Sequence, residues 1–153
     1  MFTCIVSGGQ TGVDRAALDV GLELGIPCGG WCPHGRKAED GPIPARYPLQ
    51  ETPTDEYAQR TEWNVRDSDG TLVLTRGEPR GGTALTIAMA RRQGKPCLIL
   101  DLDGLCGVRE IHEWVKAQQI RVLNVAGPRE SDNPGICLQA SDALRRILGN
   151  TDA

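Results

Sequence analysis

The stretch Cys4-Ile5-Val6-Ser7-Gly8-Gly9-Gln10-Thr11-Gly12-Val13-Asp14-Arg15 constrains the fold more than any other part of the chain. A short apolar run breaks into glycines and passes directly into residues at helical spacing: Val13, Ala17, Val20 and Leu24. A strand–glycine–helix joint of this kind leaves backbone N–H groups at the helix start without intrahelical partners. Together with the helix dipole they attract an anion. The joint recurs at Gly81-Gly82-Thr83, after the run Thr71–Thr75 and before a second helical pattern at 83–93.

Around these joints, strand-like runs (Thr3–Ser7, Pro27–Gly29, Thr71–Thr75, Pro96–Asp101 and Arg121–Ala126) alternate with helical patterns. Thr11 and Asp14 have the spacing of a capping box at the start of the first helix, and Gly25 ends it. A further helix covers 108–118, and another begins at Asn133-Pro134, an N-cap followed by a proline. Alternation of this type predicts an α/β fold, a doubly wound parallel sheet with helices on both faces in three layers. Right-handed crossovers leave few topologies, and the expected one has five strands in the order 2-1-3-4-5 within a single domain over 1–153. The crevice between the first and third strands is then the switch point where ligands bind, and both glycine loops open there. Segment 30–66 is rich in Gly, Pro and charge, with helical character only at 55–65, and a stretch that irregular is usually functional.

Composition excludes several classes. The 153 residues carry a net charge of −3 with no basic stripe, which gives no support for nucleic-acid binding. No apolar stretch is long enough to span a bilayer, and the N-terminus lacks the pattern of a secretory signal, so a cytoplasmic location is expected. The six cysteines are scattered, with Cys4, Cys28 and Cys97 in or beside apolar runs, as expected of reduced core thiols. The 83–93 helix is apolar on several sides (Leu85, Ile87, Ala88, Met89), which points to a homo-oligomer.

The first loop offers Gly8, Gly9 and Gly12 for a tight turn and close ligand approach. It matches neither the dinucleotide nor the P-loop fingerprint. Gln10 and Thr11 are candidate side-chain donors. Asp14 reads as a helix cap ahead of a catalytic acid. Arg15 opposes the helix dipole from the first turn, which calls for an anionic ligand or a carboxylate neighbour. In the second loop, Arg80 stands before Gly81, Gly82 and Thr83 and suits either an anion clamp or a solvated loop arginine. Trp31 suits either base stacking or closing the sheet edge; Glu39 and Asp40 suit either ribose hydroxyls or Arg36. Cys28, Cys32 and His34 lie close in sequence without the usual structural-zinc spacing. Arg129, after the last strand, is a third cation for the crevice or a surface turn.

The phrases SGGQTGVDRAALD, GGWCPHGRKAEDGPIP, YPLQET, RTEWNVRDSDGTL, GGT and NVAGPRES resemble the molybdenum carrier family, also called YpsA-like, from about Cys4 to Leu148. That family lies in a Rossmann-like superfamily with the LOG-type phosphoribohydrolases and DNA-processing protein A. The resemblance implies a nucleotide-like ligand, or molybdenum cofactor (molybdopterin) as cargo. It implies Gly8, Gly9, Gln10, Thr11, Gly12, Asp14 and Arg15 as one binding loop, and Gly81, Gly82 and Thr83 as the other. His34 stands where the family usually has lysine. The LOG-type second loop, P-G-G-x-G-T-x-x-E, ends in a glutamate, whereas here the chain reads Arg80-Gly81-Gly82-Thr83-Ala84-Leu85-Thr86. Two readings follow: a carrier or binding protein for a small anionic ligand, or a hydrolase of an N-glycosidic bond drawing on Asp14, Glu39 or Asp69. A zinc-binding module on Cys28, Cys32 and His34 is a third.

Overall fold

The computed structural model describes residues 2–104 and 107–149. Strands β1 (Cys4–Val6), β2 (Cys28–Gly29), β5 (Gly70–Thr75), β6 (Cys97–Asp101) and β7 (Val122–Ala126) form one parallel sheet. The short β3 (Trp31–Cys32) and β4 (Gln50–Glu51) pair in a separate two-stranded ribbon. Helices α1 (Val13–Glu23), α4 (Val108–Ala117) and α5 (Ile136–Gly149) cover one face; α2 (Tyr57–Arg66) and α3 (Gly81–Arg92) cover the other. This is the expected three-layer, doubly wound, Rossmann-like architecture.

The sheet order is β2-β1-β7-β5-β6. The last strand therefore lies between the first and third runs of the sequence rather than at an edge, pairing Leu123 with both Ile5 and Gly70. Burial accounts for its place: Leu123, Asn124, Val125 and Ala126 are all buried, as a strand covered on both faces must be, while β6 leaves Ile99 exposed and takes the edge. Counted from β5, round through the chain ends to β2, the same sheet reads 2-1-3-4-5. The expected order is thus present in circularly permuted form, and the switch point moves to the gap between β5 and β7.

The two faces differ in character. Leu72, Leu74, Leu123 and Val125 project into the main core with Val13, Ala17 and Val20 of α1 and Ala140, Leu144 and Ile147 of α5. The α2–α3 face holds a small apolar cluster of Val65, Met89 and Ala90, and buries polar groups beside it, with Asn124 Nδ2 donating to Thr71 Oγ1 at 3.2 Å. Ile87 and Met89 of α3 are buried in the chain itself, so Leu85 is the exposed large apolar residue of that helix.

The irregular segment is organised by Arg36. Its guanidinium donates to the carbonyls of Ile43, Pro44, Tyr47 and Leu49. That holds Ile43 and Tyr47 against Leu18 and Cys32 in a second core. Cys32 is accordingly buried, and no cluster of three or more His, Cys, Asp or Glu side chains is placed to hold a metal among the described residues. Among the same residues, no helix is long and apolar enough to cross a membrane.

Candidate functional site

A cavity of about 580 Å³ opens at the carboxyl ends of β5 and β7, at the switch point. After β5 the chain turns to α3 on one face; after β7 it turns to α5 on the other. The gap left between them is walled by the 75–83 loop, the 126–133 loop and α2, with Gln10 and Asp14 reaching in from the first glycine loop.

The second glycine loop is open. Arg80 is the N-cap of α3 and no side chain caps the helix. The Thr83 and Ala84 N–H groups return to the Arg80 carbonyl, whereas those of Gly81 and Gly82 have no acceptor among the described residues. Gly81 has φ of +52°, and a Cβ on Gly82 would meet nothing within 4 Å. An uncapped helix start facing a cavity leaves backbone N–H groups and the positive end of the helix dipole open to it. Arg80, which makes no ion pair among the described residues, stands beside it.

The first loop is closed on itself. Ser7 Oγ accepts from Gly9 N and donates to the Asp14 carbonyl. Asp14 Oδ2 accepts from Gln10 N at 3.3 Å, and Gln10 Oε1 accepts from Thr11 N and Glu39 N. A protein group, too, fills the room each glycine leaves: the Arg60 guanidinium at Gly8, Leu49 and Ile43 at Gly9, and the Pro128 carbonyl at Gly12. The capping box predicted for Thr11 and Asp14 does not form. Gly12 is the N-cap, and the Thr11 hydroxyl is drawn off to Glu39 and Glu130 N by the neighbouring loops. Arg15 finds a carboxylate, making a two-pronged ion pair with Asp40 at 3.0 and 3.1 Å, and donates to the Gly9 carbonyl. Of the first-loop candidates, Gln10 and Asp14 line the main cavity. Gly8 borders a water-sized void beneath it, and Gly9, Thr11, Gly12 and Arg15 shape the loop behind. Arg80, Gly81, Gly82 and Thr83 all line the cavity.

Helix α2 supplies what the sequence did not single out. Tyr57, Arg60, Thr61 and Asn64 recur at helical spacing, a polar stripe turned inward; the first three line the cavity, and Thr61 and Asn64 are buried. That stripe was the available signal, since a helix that buries polar residues must meet polar partners. Arg60 lies with Nη1 only 2.7 Å from where a Gly8 Cβ would sit and Nη2 3.7 Å from Asp14 Oδ2, and its buried Nε has no hydrogen-bond partner among the described residues. Arg129 also faces the cavity, 3.8 Å from Glu39 and 3.7 Å from Asp132. Both guanidinium groups lie 5.5 Å from the Tyr57 ring centre.

The three carboxylates considered for acid–base chemistry separate clearly. Asp69 precedes β5, at the amino end of the sheet, and accepts from Arg121 N and Val122 N. Glu39 is taken up by Thr11, Ser131 and Arg129. Asp14 alone lines the cavity, 3% exposed, and burial pushes its carboxyl above the usual aspartate range against the pull of Arg60, the Gln10 N–H, Arg15 and Arg129. At the position of the LOG-type glutamate, the Thr86 hydroxyl donates to the Gly82 carbonyl at 3.0 Å. Cys28, Cys32 and His34 do not border the cavity; burial lifts the Cys28 thiol to about 11.

Fold and cleft together define a doubly wound α/β protein with a polar, arginine-lined cavity at a permuted switch point. The chain belongs to the circularly permuted YpsA SLOG family, whose model matches residues 5–148. It is similar to the crystal structure of a putative molybdenum carrier protein from Syntrophus aciditrophicus SB, at 49% identity and a TM-score of 0.94 over 96% of this chain and 95% of that one. No curated protein matches the chain.

Proposed function

We propose that this protein binds a small phosphate-bearing ligand, nucleotide-like or a pterin phosphate, with the phosphate at the start of α3. The observation that carries the reading is the pair of N–H groups on Gly81 and Gly82, without acceptors among the described residues and at the same cavity as Arg60, Arg80 and Arg129. Molybdenum cofactor is compatible as cargo: the helix start and Arg80 suit its phosphate, and 580 Å³ accommodates a molecule of that size. Among the described residues no cysteine or histidine lines the cavity, and the lining residues would hold such a cargo through its phosphate and polar groups. The protein is expected to act as a binding or carrier protein.

Native mass spectrometry and elemental analysis of purified protein test this directly. A co-purifying phosphate ester, with molybdenum if the cargo is the cofactor, is the expected result. Gly82→Val puts a branched side chain into the open space at the helix start, and a folded Gly82→Val protein that retains the ligand at full occupancy would overturn the reading. The hydrolase reading rests on Asp14 being the one candidate carboxylate in the cavity. Release of free base from a ribonucleotide, abolished in Asp14→Ala, is its test.

A further inference from the structure

The two edges of the main sheet differ. At one, β2 is two residues long, and a short edge strand offers little to pair with. At the other, β6 presents Cys97–Asp101 in unbroken register with β5. Thr71 N donates to the Pro96 carbonyl and Leu102 N to the Thr75 carbonyl. That parity turns the even-numbered backbone groups of β6 toward β5. The N–H and C=O groups of Cys97, Ile99 and Asp101 therefore point outward, where no strand pairs with them among the described residues. The Asp101 carbonyl accepts once, from Gly104 N at 3.1 Å in the following turn, and has a second lone pair.

Side chains alternate along this edge. Leu98 and Leu100 pack against the main core, whereas Cys97 packs against the Val65, Met89 and Ala90 cluster on the α3 face. Ile99 and Asp101 share the Cys97 side, and Ile99 is 41% exposed. Arg91 of α3 reaches the same place, close enough to Cys97 to pull its thiol down against the upward push of burial. Ala84 and Ala88 precede Arg91 at helical spacing and are exposed with it, so this stripe of α3 runs beside β6. Neither Arg91 nor Asp101 makes an ion pair among the described residues; Asp101 Oδ1 accepts from Gly77 N and Asp103 N.

An apolar edge with a cation at its start and a carboxylate at its end is complementary to itself when run antiparallel. With Ile99 opposite its own copy, Cys97 falls opposite Asp101, and the Arg91 beside Cys97 meets that carboxylate. Parallel pairing would instead set like charge beside like. The two-fold axis of the antiparallel arrangement brings identical faces together, so Ala84 and Ala88 let the two α3 helices approach closely.

We infer that the partner of β6 is a second copy of this chain, joined antiparallel about a two-fold axis at Ile99, with Arg91 of each chain paired to Asp101 of the other. The two sheets then become one.

Sedimentation velocity of the full chain tests it, and a species of twice the chain mass is expected at micromolar concentration. Ile99→Lys sets two ammonium groups against each other at the axis. It is expected to run as a monomer at the same concentration, with its circular dichroism unchanged because Ile99 lies at the surface. Arg91→Glu should weaken the dimer about tenfold, since both symmetry-related contacts turn repulsive. Amide hydrogen exchange needs no variant: the Cys97 and Ile99 N–H groups should exchange slowly in concentrated solution and rapidly on dilution. A parent chain that stays monomeric overturns the inference. So does a dimer that persists unweakened in folded Ile99→Lys or Arg91→Glu, or fast exchange of both N–H groups within the dimer.

Discussion

The Pro128 carbonyl oxygen occupies the place that a Cβ on Gly12 would take. Gly12 also has φ of +81°, a conformation other residues adopt only under strain. The contact joins the loop after β1 to the loop after β7, and Val13 N donates to the same carbonyl at 3.2 Å. Neighbouring strands in the sheet thus have their carboxyl-end loops locked together behind the cavity.

Gly12→Ala must therefore move backbone, not a side chain. We expect a loss of about 3 kcal/mol or more, combining positive-φ strain with the clash. Urea unfolding followed by circular dichroism measures it. A midpoint within error of the parent would show that the two loops are free to separate.

Gly8 differs, because what fills its space is the flexible guanidinium of Arg60. Gly8→Ala should leave the unfolding midpoint within roughly 1 kcal/mol of the parent while displacing Arg60 from the cavity wall. Phosphate-ester affinity should fall about tenfold, as for a lost charge-assisted hydrogen bond. Titration of Gly8→Ala beside Arg60→Ala checks it, and the two should lose similar affinity.

These two glycines mark how far the sequence reaches. The strands, the helices and the two glycine joints at one end of the sheet are all legible, because each rests on local periodicity and turn chemistry. What a glycine makes room for is not, since Gly8 and Arg60 meet only through the tertiary fold. The place of β7 was hidden for a related reason. Periodicity identifies a strand but not its neighbours, and 2-1-3-4-5 with its permuted form differ only in where the chain is cut. Within 30–66, the clue was the apolar or polar sense of each helical face: Thr61 and Asn64 are buried where an amphipathic helix would bury aliphatic residues.

Arg36 makes a third test. Its four carbonyl acceptors fix the turn that carries Ile43 and Tyr47 into the second core, although its own φ is +55°. Arg36→Met retains much of the apolar stem and removes every donor, so a destabilisation on the order of 3 kcal/mol is expected. Limited proteolysis should then nick the chain between residues 36 and 50, with α1 and the main sheet still protected.

Asp69 ties β5 to β7 at the amino end of the sheet, and the Val122 and Arg121 N–H groups hold its carboxyl below the usual aspartate range. A lowered folded-state value means the stabilisation is present above the unfolded aspartate value and is lost as pH falls through the folded one. Asp69→Asn should lower the melting temperature at pH 7, and the gap from the parent should close as pH falls below about 4. A gap that stays constant across that range would assign the loss to geometry in place of charge.

Asp14 should show the opposite sign. Burial raises its carboxyl above the ordinary aspartate range despite Arg60, so the folded state holds a proton more tightly than the unfolded chain does. Stability attributable to this group is therefore greatest below the unfolded value, about 3.9, and declines as pH rises from there through the raised folded value. Asp14→Asn removes the buried charge while preserving the acceptor for Gln10 N. Its melting temperature should exceed the parent's at pH 7 and converge with it in acid. A variant less stable than the parent at pH 7 would mean that the Arg60 ion pair outweighs desolvation.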